Sequence, residues 1–507
     1  QRQMCIRDRL NLSKTFKEKF SLDAHIGASI KDNRFDELSV YGPIAGAPNI
    51  FNVVNLDKSQ KKTPKTGWHE QTQSFFYSLE LGWKSQLFVT TTGRNDWASQ
   101  LANSPQKSFF YPSVGVSWLP SSTFNFPEKF NYLKIRASWA SVANPFPREL
   151  TIATHPYDDT ISGWDDKSNY PIGQLYPERT KTWELGFDAR FLHGFTLSAS
   201  WYRADTYNQT FNPNLSASSG YSDIYIQTGH VRNTGVEASL GYDHQWKNWN
   251  WNSQFTFSWN KNKIIELCKE WYNPITEETI TMNRLQISKL GRAKFILKEG
   301  GSMGDLYSTT DLRRDDKGNI EIDEGGNVVV EDNLPDMKLG SVFPDYNLAW
   351  RNSVSWKNLN LGFLVTARIG GIVNSLTQAN MDLFGVSEAT AAARDAGGAL
   401  VNGRSLVNPE TWYTAIASQG GIPQYYTYSA TNVRLQELSL GYTIPRKWLH
   451  NICSITVSFV GRNLWMMYCK APFDPEAVAS TNNFYQGMDY FMMPSTRNLG
   501  FNINIKF

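Results

Sequence analysis

The stretch WNWNSQFTFSWN, residues 249–260, decides the fold. Trp249, Trp251, Phe255, Phe257 and Trp259 fall on one side of an extended chain, and Asn250, Asn252, Gln254, Thr256, Ser258 and Asn260 fall on the other. From Trp249 to Trp259, at roughly 3.3 Å per residue and a tilt of about 40°, the strand rises about 25 Å, the height of the apolar band around a membrane-spanning β-barrel. The tryptophans at its two ends stand where a ring with an apolar body and a polar N–H prefers to be, at the border between hydrocarbon and water.

The same alternation recurs along the chain. Phe195, Leu197, Ala199 and Trp201 oppose Thr196, Ser198, Ser200 and Tyr202; Val236, Ala238, Leu240 and Tyr242 oppose Glu237, Ser239, Gly241 and Asp243. Leu359, Leu361, Phe363 and Val365 continue it, and so does the terminal NLGFNINIKF, where Phe501, Ile503, Ile505 and Phe507 alternate with glycine, asparagine and lysine. About 15 strands are expected, several longer than the roughly 5 to 6 residues usual in soluble folds. Phe507 is expected at the short-turn rim.

Connections alternate in length. Trp83-Lys84-Ser85, Trp246-Lys247-Asn248 and Trp356-Lys357-Asn358 each set a tryptophan at a strand end and a lysine in a solvated turn. Trp83, Trp246, Trp249, Trp259, Trp356 and Phe507 are therefore the expected belt aromatics. Further short connections are expected near 16–19, 120–129, 192–194 and 445–452. Long excursions cover roughly 43–66, 98–107, 145–178, 211–230, 267–342, 374–427 and 469–495. Short turns on one rim and long loops on the other are the asymmetry of an outer-membrane barrel, with the long side outermost. Within the excursions, RRDDKGNIEIDEGGNVVVED predicts small hairpins, and SEATAAARDAGG (387–398) a short helix ending at Gly397. A soluble sandwich or propeller could use the same alternation to bury one face against a second sheet. Strand length and loop asymmetry favour the membrane.

Composition removes other classes. The chain has 507 residues with 50 basic and 47 acidic side chains, a net charge of +3, which provides no footprint for nucleic acid. Cys5, Cys268, Cys453 and Cys469 have neither finger nor CxxC spacing. Mean hydropathy is −0.43, and no apolar run approaches the roughly 18 residues of a membrane helix. No signal peptide is visible, and the chain opens on Gln1. The opening QRQMCIRDR fits no strand pattern and resembles a sequence that recurs at the ends of assembled metagenomic fragments. Residues 1–9 are expected to be a non-native or disordered leader, and 10–507 the barrel.

At this level of detail the motifs resemble a family. GRNDWAS (93–99), SFFYPSVGVSWLP (108–120), LKIRASWASVANP (133–145), PERTKTWELGFDARF (177–191), GHVRNTGVEASLGY (229–242), NVRLQELSLGYTIP (432–445) and SFVGRNLW (458–465) are similar to the carboxy-terminal part of SusC/RagA-type TonB-linked outer-membrane transporters from Bacteroidota. The resemblance covers nearly everything from about residue 10 onward. It implies a plugged antiparallel barrel of 22 strands, of which this chain carries the later part, without the plug and the first strands. It also implies import of an oligosaccharide or peptide beneath a SusD-like surface lipoprotein, powered through the TonB–ExbB–ExbD system by way of the plug. No cofactor is implied. A passive porin is a different class, as is an outer-membrane barrel enzyme.

Inward faces carry mostly Asn, Ser, Thr, Gln and Gly with scattered charges such as Glu80 and Glu237, unlike the single-sign ring of an ion-selective pore. Such residues suit a plug, water or a sugar. Substrate contacts are expected on long loops held by a rigid scaffold. In HPYDDTISGWDDKSNY the candidates are Tyr157, Asp158, Trp164, Asp165 and Tyr170, aromatic planes and carboxylates able to stack on and hydrogen-bond a sugar. Packing against a lid protein or neighbouring loops is the plainer role for them. Gly300-Gly301-Ser302-Met303-Gly304 satisfies G-x-S-x-G, yet the adjoining DLYSTTDLRRDD lacks the helical apolar period that a nucleophile elbow needs. The acidic run from Asp315 to Glu324 lacks calcium-loop spacing, because Lys317 precedes Gly318. The seven histidines show no HExxH and no pair at metal spacing.

Overall fold

The computed structural model describes residues 2–148, 150–151, 157–158, 163–164, 175–212, 220–222, 224–273, 277–480 and 485–506. Fifteen strands form one antiparallel sheet in which chain order and sheet order coincide. They are β1 (Arg2–Phe16), β2 (Phe20–Leu38), β3 (Lys65–Trp83), β4 (Leu87–Ala98), β5 (Phe109–Trp118), β6 (Phe130–Asn144), β7 (Glu178–Phe191) and β8 (Phe195–Phe211). Next come β9 (Ile226–Trp246), β10 (Trp249–Glu266), β11 (Tyr346–Trp356), β12 (Leu359–Ile369), β13 (Asn432–Ile444), β14 (Ser454–Cys469) and β15 (Asn498–Lys506).

Register joins the separate alternations into one surface. A single hydrogen-bonding row runs Leu22, Leu81, Val89, Val116, Ala137, Leu185, Trp201, Val236 and Trp259, so apolar residues stay on one face from β2 to β10. This row starts two residues inside β2 and ends ten residues inside β10. The strands are therefore progressively staggered, as tilted strands of a barrel wall must be. Among the described residues no second sheet covers that face: Leu185 is 53% exposed and Phe501 79%. The sandwich alternative fails on this point, since sealing that face was its whole premise.

Three of the short-rim connections are three-residue turns, 17–19, 84–86 and 192–194. Lys17-Glu18, Lys84-Ser85 and Leu192-His193 all have φ between 48° and 56°. Both residues of each pair are left-handed, the geometry that matches the twist of paired strands. None of these left-handed positions is a glycine, at a cost of roughly 1–2 kcal/mol per residue, which the long ladders on either side offset.

The two sheet edges remain open. Among the described residues β1 pairs only with β2 and β15 only with β14. One expectation needs correcting: Arg2–Arg9 is not disordered but continues β1 against Gly27–Arg34 without a break. The edge of β2 offers a row of unsatisfied backbone groups that an extended neighbour completes, and Met4 and Ile6 share the parity of Leu10 and Leu12.

Packed cores lie in the loops and at the long-loop ends of the strands, where Phe211, Val231 and Ile264 pack with Leu285, Leu297 and Met303. Three connections, 267–345, 370–431 and 470–497, fold together into a loop body on the long-loop rim. It contains a four-stranded sheet (Arg284–Leu290, Ala293–Lys298, Asp305–Ser308, Met337–Ser341) and a three-stranded one in which Met488–Asp489 pairs parallel with Ile372–Ser375. Its longer helices are α1 (Leu376–Leu383), α2 (Glu388–Asp395) and α3 (Pro409–Ala417). Helix α2 is the predicted one, with the Ser387 side chain accepting from the Thr390 N–H and Gly397 at φ 76°. Phe295, Leu306, Val342, Leu376 and Met488 form one core, and Ala379, Ile416, Ile422 and Tyr426 another. The predicted hairpins turn at Gly318 and Gly326, where Asp315 and Asp323 each accept N–H groups from the asparagine four residues on. The acidic run is thereby used as turn scaffolding.

One outward-facing network stands out because it is polar. Trp251 donates its indole N–H to Asn352 Oδ1 at 2.8 Å, while Trp350 and Asn352 Nδ2 both donate to Ser253 Oγ at 3.0 Å. In hydrocarbon an indole N–H has no water to turn to, so this closed set is what lets two tryptophans lie within the band. In the intact receptor, Asn352→Leu is expected to cost about 1–3 kcal/mol by stranding the Trp251 N–H. The temperature at which the folded band shifts on a detergent gel should drop, and an unchanged temperature would show the network contributes nothing. Residues 10–507 alone are expected not to give a heat-shifting monomer in detergent, because two open edges cannot be satisfied in lipid; recovery of one would overturn that.

Candidate functional site

Two surfaces can meet a solute: the inner face of the sheet and the loop body above it. On the inner face a concavity of about 690 Å³ opens between β6 and β13, with Ser200, Glu237, Ser258, Asn347 and Arg368 along one hydrogen-bonding row. Its lining mixes hydroxyls and amides with both signs of charge, which suits hydrogen bonding to an uncharged or mixed-charge surface. Glu80, singled out with Glu237 from the sequence, accepts from Thr90 Oγ1 at 3.1 Å, so its carboxylate is tied to the next strand.

Toward the long-loop ends, charged clusters replace the apolar band. Asp205 accepts from Arg203, His230 and Arg232 at 2.9, 2.7 and 2.7 Å. Arg94 pairs with Asp96 at 2.7 Å near the long-loop end of β4, whereas Arg136 pairs with Asp188 at 2.5 Å closer to the short turn, beside the concavity. Sequence reasoning misses these, although a signal exists. Arg34-Phe-Asp36, Arg94-Asn-Asp96 and Arg203-Ala-Asp205 place opposite charges two residues apart, hence on one strand face, and all three form the pair.

The clasp between wall and loop body is also a residue that sequence reading misses. Arg434 on β13 is almost fully buried and grips Asp474 through both terminal nitrogens, at 2.8 and 3.3 Å, with Glu476 at 3.3 Å. Burial by itself pushes the Asp474 carboxyl up, but the hydrogen bonds from Arg434 and Ser495 outweigh it and hold the group below the usual carboxylate range. A carboxyl held low in the folded state stabilises fully above its unfolded pKa, about 3.9, and the contribution is lost as pH falls below it.

The sequence-derived candidates fare unevenly. Tyr157–Asp158 and Gly163–Trp164 form a two-stranded hairpin that sets Tyr157 opposite Trp164, and the Trp164 ring is 73% exposed. Nothing more is described of the Tyr157 and Asp158 side chains, and Asp165, Tyr170 and Phe507 lie outside the described residues. Trp246, Trp249 and Trp356 are consecutive partners in register at the short rim, with the Trp249 and Trp356 rings 5.7 Å apart. Lys84 sits over the Trp83 ring and Lys357 over Trp356, at 5.0 and 5.1 Å. Trp259 ends the apolar run at the other rim, opposite Tyr346. Ser302 lies in a turn that leads into the strand Asp305–Ser308, not a helix, and its hydroxyl donates to Asn262 Oδ1 at 3.3 Å. That geometry is a loop anchor without the elbow of a hydrolase.

Arg434→Met is expected to free the 470–497 segment, read as faster protease nicking there in the intact receptor at neutral pH. In the unsubstituted receptor, amide protection of that segment should hold from pH 7 to 5 and fall below about pH 4; flat protection down to pH 3 would rule out the clasp.

Comparison with known proteins agrees with this architecture. Residues 3–464 match the family model described as TonB dependent receptor-like, beta-barrel. The TonB-dependent receptor P3 of Formosa agariphila is 26% identical over 98% of this chain and 52% of its own length. The TonB-dependent receptor SusC of Bacteroides thetaiotaomicron is 21% identical over 74% of this chain and 38% of its own. The RagAB peptide importer in its closed-closed state superposes with a TM-score of 0.78 at 18% identity, over 100% of this chain and 55% of the other, a likeness of fold. The chain spans about half the length of the curated relatives it matches. An open-edged antiparallel sheet with an apolar outer face, short turns on one rim and a folded loop body on the other thus has its place: the chain belongs to the TonB-dependent receptor-like β-barrel family of the outer membrane.

Proposed function

We propose that this chain is the carboxy-terminal wall of a SusC/RagA-type importer, which takes oligosaccharides or peptides across the outer membrane into the periplasm. The observation that carries the reading is the union of three features in one sheet. These are an unbroken apolar outer face, an inner concavity lined by neutral polar groups and both signs of charge, and a stable body built from three loops on one rim. A porin needs only the first two.

On this reading the loop body is extracellular and is where a SusD-like lipoprotein would close over the solute. The plug, pulled through TonB–ExbB–ExbD, would occupy the inner concavity. Trp83, Trp246, Trp249 and Trp356 anchor the periplasmic border of the lipid and Trp259 the outer one, with Phe507 assigned to the periplasmic rim. The hairpin bearing Tyr157, Asp158 and Trp164, with Asp165 and Tyr170 beyond it, contributes to solute contact. No chemical step is required of any residue.

Uptake assays on cells carrying or lacking the intact gene test this reading, using fluorescent pools of oligosaccharides and of peptides. Uptake of one pool should disappear in the deletion strain and also on collapsing the proton gradient with an uncoupler, since import draws on TonB. Gene-dependent uptake that ignores the uncoupler would mean a passive porin. Trp164→Ala is expected to reduce uptake about threefold with surface expression unchanged, in line with the loss of one exposed aromatic contact; unaltered uptake would remove that hairpin from the solute path.

A further inference from the structure

The loop body contains a cavity that the import reading does not use. It has a volume of about 440 Å³ and is enclosed by the end of α1 and the facing sides of α2 and α3, all within residues 382–413. Asp382 lines it and is only 6% exposed. Its carboxylate accepts from Gln378 Nε2 at 2.9 Å and from the Tyr426 hydroxyl at 3.0 Å, both neutral donors. That uses two of about four lone-pair directions. Among the described residues no cation forms an ion pair with it.

A buried carboxylate without a counter-charge is costly, and its field is felt nearby. Burial first, and then the Asp382 charge, push the Tyr413, Tyr426 and Tyr428 phenols up, that of Tyr428 to about 12. The rest of the lining holds one further carboxylate and one guanidinium. Glu410, exposed, adds a second carboxylate. α1 directs its carbonyl end at the cavity through Leu383, Phe384 and Gly385, the end of a helix that favours cations. The amino end of α3, which would oppose a cation, is spent on its own cap: Asn408 Oδ1 accepts from the Glu410 and Thr411 N–H groups at 2.9 and 3.4 Å. The lining guanidinium, Arg394, donates to the Gly385 carbonyl at 2.9 Å. Tyr413 and Phe384, the latter 73% exposed, supply aromatic walls for an alkyl stem and a positive head.

We propose that this cavity is a binding subsite for a cationic amino-acid side chain, the ammonium of lysine or the guanidinium of arginine, presented by a peptide. Asp382 would form the charge-assisted bond and Glu410 would complete the negative field. A neutral sugar would fill the space but leave the Asp382 charge unmatched. This deepens the import reading by naming a peptide class of solute, and rests on that reading only for its biological use.

The test is direct binding to the intact receptor in detergent, by isothermal titration with Nα-acetyl-lysine methylamide, Nα-acetyl-norleucine methylamide and a maltooligosaccharide. The lysine probe should bind saturably and at least roughly tenfold more tightly than its uncharged analogue, as a charge-assisted bond requires. Asp382→Asn should abolish that preference while the receptor keeps its heat-dependent gel shift. Should that variant fail to fold, the exposed Glu410→Gln and Phe384→Ala variants replace it, each expected to weaken the lysine probe several-fold. Equal affinity for lysine and norleucine probes, preference for the sugar, or unchanged lysine affinity in these variants would overturn the proposal. Binding of lysine without gene-dependent uptake of either pool would leave the subsite standing and sink the import reading instead.

Discussion

The interstrand hydrogen-bond ladder is the constraint on which the rest depends. Hydrocarbon provides no partner for a backbone N–H or C=O, so every peptide group within the band must be satisfied by a neighbouring strand. That requirement explains strands as long as the 21 residues of β9, the long runs of continuous register such as that between β2 and β3, and the climb of the apolar row from β2 to β10. It also explains why short turns accept left-handed non-glycine residues: register continuity across the turn matters more than local strain.

The same constraint inverts the usual distribution of hydrophobic residues. In a soluble domain the largest apolar side chains are hidden, whereas here the sheet displays many of them, and the buried ones lie in the loops and at the long-loop ends of the strands. Phe295, Leu306, Ile422 and Tyr426 are sealed within the loop body, which has its own sheets, helices and ion pairs. The body is tied to the wall by Arg434, whose partners Asp474 and Glu476 come from the last long connection. Beside this clasp, an apolar core joins the two, in which Phe211, Val231 and Ile264 of the wall meet Leu285, Leu297 and Met303 of the body.

How much of this can be read from the chain depends on range. The strands and turn positions come from period-2 alternation and Trp-Lys pairs, both local patterns, and α2 from the Ser387 cap and Gly397. The Arg-x-Asp pairs are local too, yet they escape a reading that scores alternation for apolar residues only. The leader reads as disordered from pattern alone, which ignores what an open edge of β2 will recruit. The Asp382 cavity is illegible for a different reason: Gln378, Tyr413 and Tyr426 approach that carboxylate only once α1, α3 and the segment after Ile422 have packed.

By itself, the sequence determined that the chain forms tilted strands with a lipid face and a polar face, because side-chain alternation is a property of the extended backbone and needs no partner. It determined which rim bears short turns, through residues adjacent in the chain. Only the tertiary structure decided how three loops distant in sequence share cores and which carboxylates find cations and which, like Asp382, do not, since these outcomes depend on distances between segments that no local pattern encodes.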